Sequence, residues 1–400
     1  MDERRLPPNY LGHYSDAISC VPELALTDNP KTPNGPAVST AVPAPAQGPE
    51  KELLESPTPW YDPRGRSLRK KLIIASVIVV VIVVTIVGAV QGVRANRYPD
   101  YIPLNYKLVD TYEGPSFFDN FDYFSDEDPT KGFVVYVDEG TAEYLNLTFA
   151  TDTSAILRVD SSTPNALVGR NSVRIESKST YDTGLFIFDI LHTPYGCATW
   201  PALWLTDGYN WPNNGEIDLV EANNKGTEGN EVTLHTTAGC SMDVKRKETG
   251  SPQYSSCGND TNGNSGCGVQ GNPATYGPTF NNYGGGVYAL ELRDAGVRAW
   301  FWPRGSIPDD ITNATGVPNP AIWGTALADF PSTDCNIASH FRNQSIIANI
   351  DLCGELAAQP QFYEELYSCP GTCSEFVANN PEEFDEAYWE FKSFKVYQAV

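Results

Sequence analysis

Beyond residue 98 the chain is built of short stretches in which apolar and polar residues alternate, and before that point it holds one unbroken apolar run. Gly132 to Val137, Ser172 to Ser177, Gly184 to Leu191 and Glu231 to His235 are rich in Val, Ile, Phe and Leu and are bounded by Gly, Asn, Asp and Pro. Such stretches predict β-strands, and no segment after residue 98 carries a long helical period. The pattern therefore predicts an all-β sandwich over 98–400. Within it, the Gly/Asn/Ser-rich piece Gly258 to Gly286 reads as a long surface loop. Asp334 to Asn380 reads as a disulfide-tied insertion with a short helix near its end.

The apolar run differs in kind. Leu72 to Val90 is nineteen residues without a charge, interrupted only by Ser76, Thr85 and Gly88. At about 1.5 Å per residue it crosses a bilayer as a helix, because lipid forces backbone groups to bond within the segment. A transmembrane helix is predicted over 72–92. The run starts too far into the chain, and is too long, for a cleaved signal peptide. Arg64, Arg66, Arg69, Lys70 and Lys71 precede it, whereas only Arg94 and Arg97 follow closely. That asymmetry predicts a single-pass type II membrane protein with a cytosolic N-terminus and a lumenal or extracellular remainder. Residues 1–71, dominated by Pro, Ala, Gly, Ser and Thr, read as a disordered cytosolic tail. Ser56-Pro-Thr-Pro there offers proline-directed phosphorylation sites.

Composition sharpens this picture. Residues 1–71 carry 9 basic and 9 acidic residues, so the net charge of −23 lies beyond them. An acidic domain is a poor partner for nucleic acid or anionic lipid and is compatible with neutral polysaccharide. Eight of the nine cysteines follow the apolar run, an even number that predicts four disulfides in an oxidising compartment, with 105 pairings open. All four N-glycosylation sequons, at Asn146, Asn259, Asn313 and Asn343, also follow it. Cys369-Pro-Gly-Thr-Cys373 lacks a matching His pair and reads as structural disulfide. With no Gly-rich phosphate loop and no zinc signature, no cofactor and no metal is expected.

The candidate chemistry lies in Gly215-Glu-Ile-Asp-Leu-Val-Glu221, which sets three carboxylates into a run that otherwise reads as buried strand. Glu216 and Asp218 share one face, and Glu221 points to the other unless one residue is absorbed in a bulge near Leu219 or Val220. With the bulge, three acids line one row. Two Glu side chains spaced this way approach the separation of about 5 to 5.5 Å that retaining glycosidases need. Glu216 then reads as nucleophile, Glu221 as general acid and then base, and Asp218 as the group that orients and tunes Glu216. Like charges so close favour a protonated Glu221.

Glu-x-Asp-x-x-Glu, preceded by Cys197-Ala-Thr-Trp-Pro-Ala-Leu-Trp204 and followed by Leu234-His-Thr-Thr-Ala-Gly-Cys240, resembles family 16 glycoside hydrolases, particularly fungal endo-1,3(4)-β-glucanases of the laminarinase type. The likeness extends from Phe117-Phe-Asp-Asn-Phe-Asp-Tyr-Phe124, through Val297-Arg-Ala-Trp-Phe-Trp-Pro-Arg304, to Ala387-Tyr-Trp-Glu-Phe-Lys-Ser-Phe-Lys-Val-Tyr397. It implies a β-jelly-roll sandwich of the concanavalin A-like lectin and glucanase type over 98–400, retaining hydrolysis of β-glucan, and the same roles for the three acids. Ala222 departs from a Gly expected in many relatives. Trp200, Trp204 and Trp211 are candidates to stack on sugar rings, and His235 matches a histidine that relatives place near the acids. Trp300 and Trp302 share a strand face that could form another wall. A wall-remodelling β-glucan transglycosylase and a non-catalytic glucan-binding sensor are the alternatives to a glucanase.

Overall fold

In the computed structural model residues 68–95, 97–313 and 316–400 are described. The expectations for the tail, including Ser56-Pro-Thr-Pro and the lone Cys20, lie outside the described residues. The apolar run forms one helix, Leu68–Ala95, starting earlier than predicted. Lys and Arg are good helix formers and extend it backwards. Its segment Leu68–Val93 is long and apolar enough to cross a membrane, with mean hydropathy 3.2 and side chains such as Val80 and Val84 exposed.

The remainder is a sandwich of two antiparallel sheets. The front sheet runs Ser251–Pro252, Val269–Gln270, Glu231–His235, Glu216–Glu221, Thr199–Thr206, Gln344–Leu352, Arg174–Tyr181, Phe121–Tyr123. The back sheet runs Ala328–Pro331, Gly296–Pro303, Gly286–Arg293, Gly184–His192, Tyr388–Ala399, Ala155–Arg158, Thr148–Ala150, and Tyr106–Glu113 also pairs with Tyr388–Ala399. Alternate residues of each sheet meet between the layers: Phe186, Phe188, Leu290, Phe391 and Phe394 from the back face Leu203, Leu205, Ile217, Leu234 and Ile346 from the front. This is the predicted all-β jelly-roll sandwich.

The back sheet is also covered on its outer side. Leu185, Ile187, Val287, Ala289 and Trp300 pack there against Leu104, Tyr106 and Trp323. Burial on both faces explains why strands such as Gly286–Arg293 are apolar almost throughout. It also corrects the reading of Trp300 and Trp302: both pack against Trp323 on the back sheet, away from the acids.

Two further readings are corrected. Gln344–Leu352 lies inside the supposed insertion Asp334 to Asn380, yet it is an interior strand of the front sheet, paired with both Thr199–Thr206 and Arg174–Tyr181. Its partners are more than a hundred residues away, so nothing local announces it. Gly258 to Gly286 is not a mere surface loop: Cys267, Val269, Tyr276 and Phe280 are buried, and Val269–Gln270 adds a strand. The eight cysteines pair as Cys197–Cys369, Cys240–Cys335, Cys257–Cys267 and Cys353–Cys373. Cys369 and Cys373 thus belong to separate bridges.

Candidate active site

The acid-bearing strand is bulged where its sequence requires. Pairing with Thr199–Thr206 shifts register between Asp218 and Val220, and pairing with Glu231–His235 shifts between Asp218 and Glu221. Ile217, Leu219 and Val220 are all fully buried in the core. Two consecutive residues point inward, so Glu221 returns to the face of Glu216 and Asp218. The side chain of Asn230, itself fully buried, spans the irregularity. Its Nδ2 donates to the Leu219 carbonyl at 2.9 Å, and its Oδ1 accepts from the Glu221 N–H at 2.7 Å.

Neighbouring strands set the rest of this face by register. Glu216 lies opposite Thr206 and His235, Asp218 opposite Trp204 and Thr233, and Glu221 opposite Ala202 and Glu231. Trp200 donates its indole N–H to Glu221 Oε1 at 2.6 Å. Trp204, nearly buried, donates to Asn349 Oδ1 at 2.8 Å and lies under the Arg174 guanidinium at 5.0 Å. His235 Nε2 is 3.4 Å from Asp218 Oδ2, and Trp211 contributes a hydrogen bond that holds the Glu216 carboxyl down. All four predicted aromatic and histidine residues therefore converge on the acids. Trp200 reaches a carboxylate with its nitrogen, which leaves its ring face as a surface a sugar could meet.

The electrostatics follow from burial. Desolvation raises the carboxyls of Glu216, Asp218 and Glu221. For Asp218 the neighbouring Glu216 and Glu221 push in the same direction, well above the ordinary range. For Glu216, His235 and then the Trp211 hydrogen bond pull the other way. Glu221 is pushed up to about 7 by burial, relieved by the Trp200 hydrogen bond and reinforced by Glu231 and Glu216. One donor atom each from Glu216, Asp218 and His235 lie within 4.8 Å of one another. That set has the donor types of a cation site, and burial, which raises both carboxyls, works against an ion there.

Sequence reasoning missed Asn230, Glu231, Asn349 and Asp351. Asp351 sits opposite Trp200 in register, is almost fully buried, and accepts from Thr130 Oγ1 at 2.9 Å. Alternation along Glu231–His235 could have flagged Glu231, because Val232 and Leu234 are plainly apolar. Asn349 and Asp351 lay in the strand mistaken for an insertion.

An XgeA-like catalytic GH16 domain matches residues 121–397. A "probable glycosidase" of Schizosaccharomyces pombe is 46% identical over 308 residues, covering 76% of this chain and 72% of that protein. The endo-1,3(4)-β-glucanase xgeA of Emericella nidulans is 40% identical over 308 residues, covering 74% of this chain but only 47% of its own length. Laminarinase 16A of Phanerochaete chrysosporium, solved with β-glucans in donor and acceptor sites, is 44% identical with TM-score 0.71, over 74% of this chain and 100% of that one. An elongating family 16 β-1,3-glucosyltransferase is 39% identical with TM-score 0.69, over 73% and 100%. From a bulged strand that gathers three acids, and from these matches, the chain belongs to glycoside hydrolase family 16, with an XgeA-like catalytic domain.

Proposed function

We propose that this protein is a membrane-anchored, retaining endo-β-1,3(4)-glucanase acting on cell-wall β-glucan. The observation that carries the reading is the bulge at Leu219 and Val220, which sets Glu216, Asp218 and Glu221 on one face. In the first step the Glu216 carboxylate bonds to the anomeric carbon as the glycosidic C–O bond breaks, and protonated Glu221 gives its proton to the departing oxygen. In the second step Glu221, now ionised, takes a proton from water as the water oxygen attacks the anomeric carbon and releases Glu216. Asp218, between the two glutamates, orients Glu216, and His235 Nε2 lies 3.4 Å from its Oδ2. Trp200 holds Glu221 through its indole N–H, Trp200 and Trp211 offer aromatic surface to glucose rings, and Trp204, nearly buried beneath Arg174, supports the floor of the site.

Anchoring is supported by the helix Leu68–Ala95, and orientation by the basic cluster before the apolar run. The four disulfides and four sequons fit a lumenal or extracellular catalytic domain. A second reading replaces water with a sugar hydroxyl, making a β-glucan transglycosylase. It is favoured by the likeness to an elongating glucosyltransferase. The test is product analysis on laminarin and barley mixed-linkage glucan with full-length protein in detergent. New reducing ends mark hydrolysis, lengthened oligosaccharides mark transfer, and neither product from folded protein would overturn both readings.

A further inference from the structure

Glu231 is a fourth carboxyl on the face that carries the acids. It opens the strand Glu231–His235, where Val232 and Leu234 are fully buried in the core, so Glu231, Thr233 and His235 point to the front. Its register partner across the sheet is Glu221. Residue Gly268, beyond it, leaves room for the side chain: a β-carbon there would fall 1.9 Å from Glu231 Oε1. Glu231 is half-buried and burial raises its carboxyl, with no hydrogen bond or ion pair from the described residues to lower it. A carboxylate that is partly desolvated and unpaired is costly, and the cost is relieved when a hydroxyl donor docks. On the opposite flank of Glu221 the strand Thr199–Thr206 presents Trp200 and Trp204, whose polar atoms are already engaged. The two flanks therefore differ: one offers aromatic surface, the other an acceptor in want of a donor.

The oxygen that Glu221 protonates belongs to the sugar that leaves, so that sugar lies against Glu221. Resting on the functional reading above, we propose that Glu231 is a specificity-determining residue that accepts a hydrogen bond from a hydroxyl of the sugar on the leaving-group side. The same contact receives an incoming acceptor sugar when transfer replaces hydrolysis. No bond to Glu231 forms or breaks; it holds the ring whose oxygen Glu221 protonates or deprotonates.

The test uses full-length protein in detergent with laminari-oligosaccharides as substrates and acceptors, comparing Glu231→Ala, Glu231→Gln and Glu221→Gln. A hydrogen bond to a charged acceptor corresponds to roughly tenfold or more in binding. Glu231→Ala should raise KM and the acceptor concentration for half-maximal transfer about tenfold, with kcat falling far less than in Glu221→Gln. Glu231→Gln, nearly equal in volume and still an acceptor, should recover part of the loss, and it also serves if the alanine variant does not fold. Unchanged KM and acceptor saturation in both variants would overturn the assignment, as would a kcat loss as large as that of Glu221→Gln. Wild-type protein that neither cleaves nor transfers would instead contradict the functional reading on which the inference rests.

Discussion

In its proposed role Glu221 has to hold a proton when the glycosidic bond breaks and lose it before the second step, and an ordinary glutamate would be ionised throughout at neutral pH. Burial and the neighbouring Glu231 and Glu216 supply the difference, lifting it to about 7. The groups that bear on it are Glu216 and Asp218 on its own strand, Glu231 on one neighbouring strand, the Trp200 indole on the other, and the Tyr276 phenol. The alkaline limb of kcat/KM should therefore fall near pH 7, since rising pH removes the proton that Glu221 must donate. A pH–rate profile on laminarin checks this, and a limb well above pH 9 would contradict the assignment. The same shift has a cost in stability. A carboxyl raised on folding binds more protons folded than unfolded, so stability drops as pH rises from the unfolded value toward about 7. Glu221→Gln removes the ionisation and should raise Tm at pH 8 by a few degrees relative to wild type, with a smaller change at pH 5. Scanning calorimetry at the two pH values decides it.

At the scale of the strand, the critical device is the bulge and the amide that spans it. Asn230 serves a carbonyl on one side and an N–H on the other, and its loss leaves both groups buried without a partner. Asn230→Ala should cost about 2–4 kcal/mol in urea unfolding and lower kcat by far more than KM changes, because Glu221 loses the backbone position that aims it. Full activity in that variant would show that the bulge stands without the amide. This bulge was legible from sequence, because three acids among Ile217, Leu219 and Val220 can share one face in no other way. Asn230 was not: its partners lie across a turn, and a Gly229-Asn230 pair reads equally well as ordinary turn chemistry. Strand Gln344–Leu352 was hidden for a similar reason, since its apolar run sits among cysteines that draw attention to disulfides. Trp200 was legible as a residue of the site, but not that it binds Glu221, because strand periodicity gives a face and no partner.

At the scale of the whole molecule, the segment just after the apolar helix is part of the sandwich. Tyr98 and Tyr101 donate their hydroxyls to Asp329 at 3.0 and 3.2 Å, and Lys247 and Arg298 lie over their rings. Asp329 is fully buried, so these phenols are partners it cannot replace with water. Tyr101→Phe should destabilise the sandwich by about 1–3 kcal/mol, read by urea unfolding. No change would mean that the segment is not required for the fold. Removal of the Cys197–Cys369 bridge, which joins residues 172 apart, should cost about 5 kcal/mol on the chain-entropy account, again by urea unfolding. In the proposed mechanism Glu216 and Glu221, brought to one face by the bulge, break a β-glucosidic bond with retention. The most direct test follows the anomeric configuration of fresh product by NMR as the full-length protein acts on laminarin, with Glu216→Gln in parallel. Newly formed β-anomer is expected from the wild type, and a rate lower by about three orders of magnitude or more in the variant. Newly formed α-anomer, or undiminished cleavage by Glu216→Gln, would contradict it.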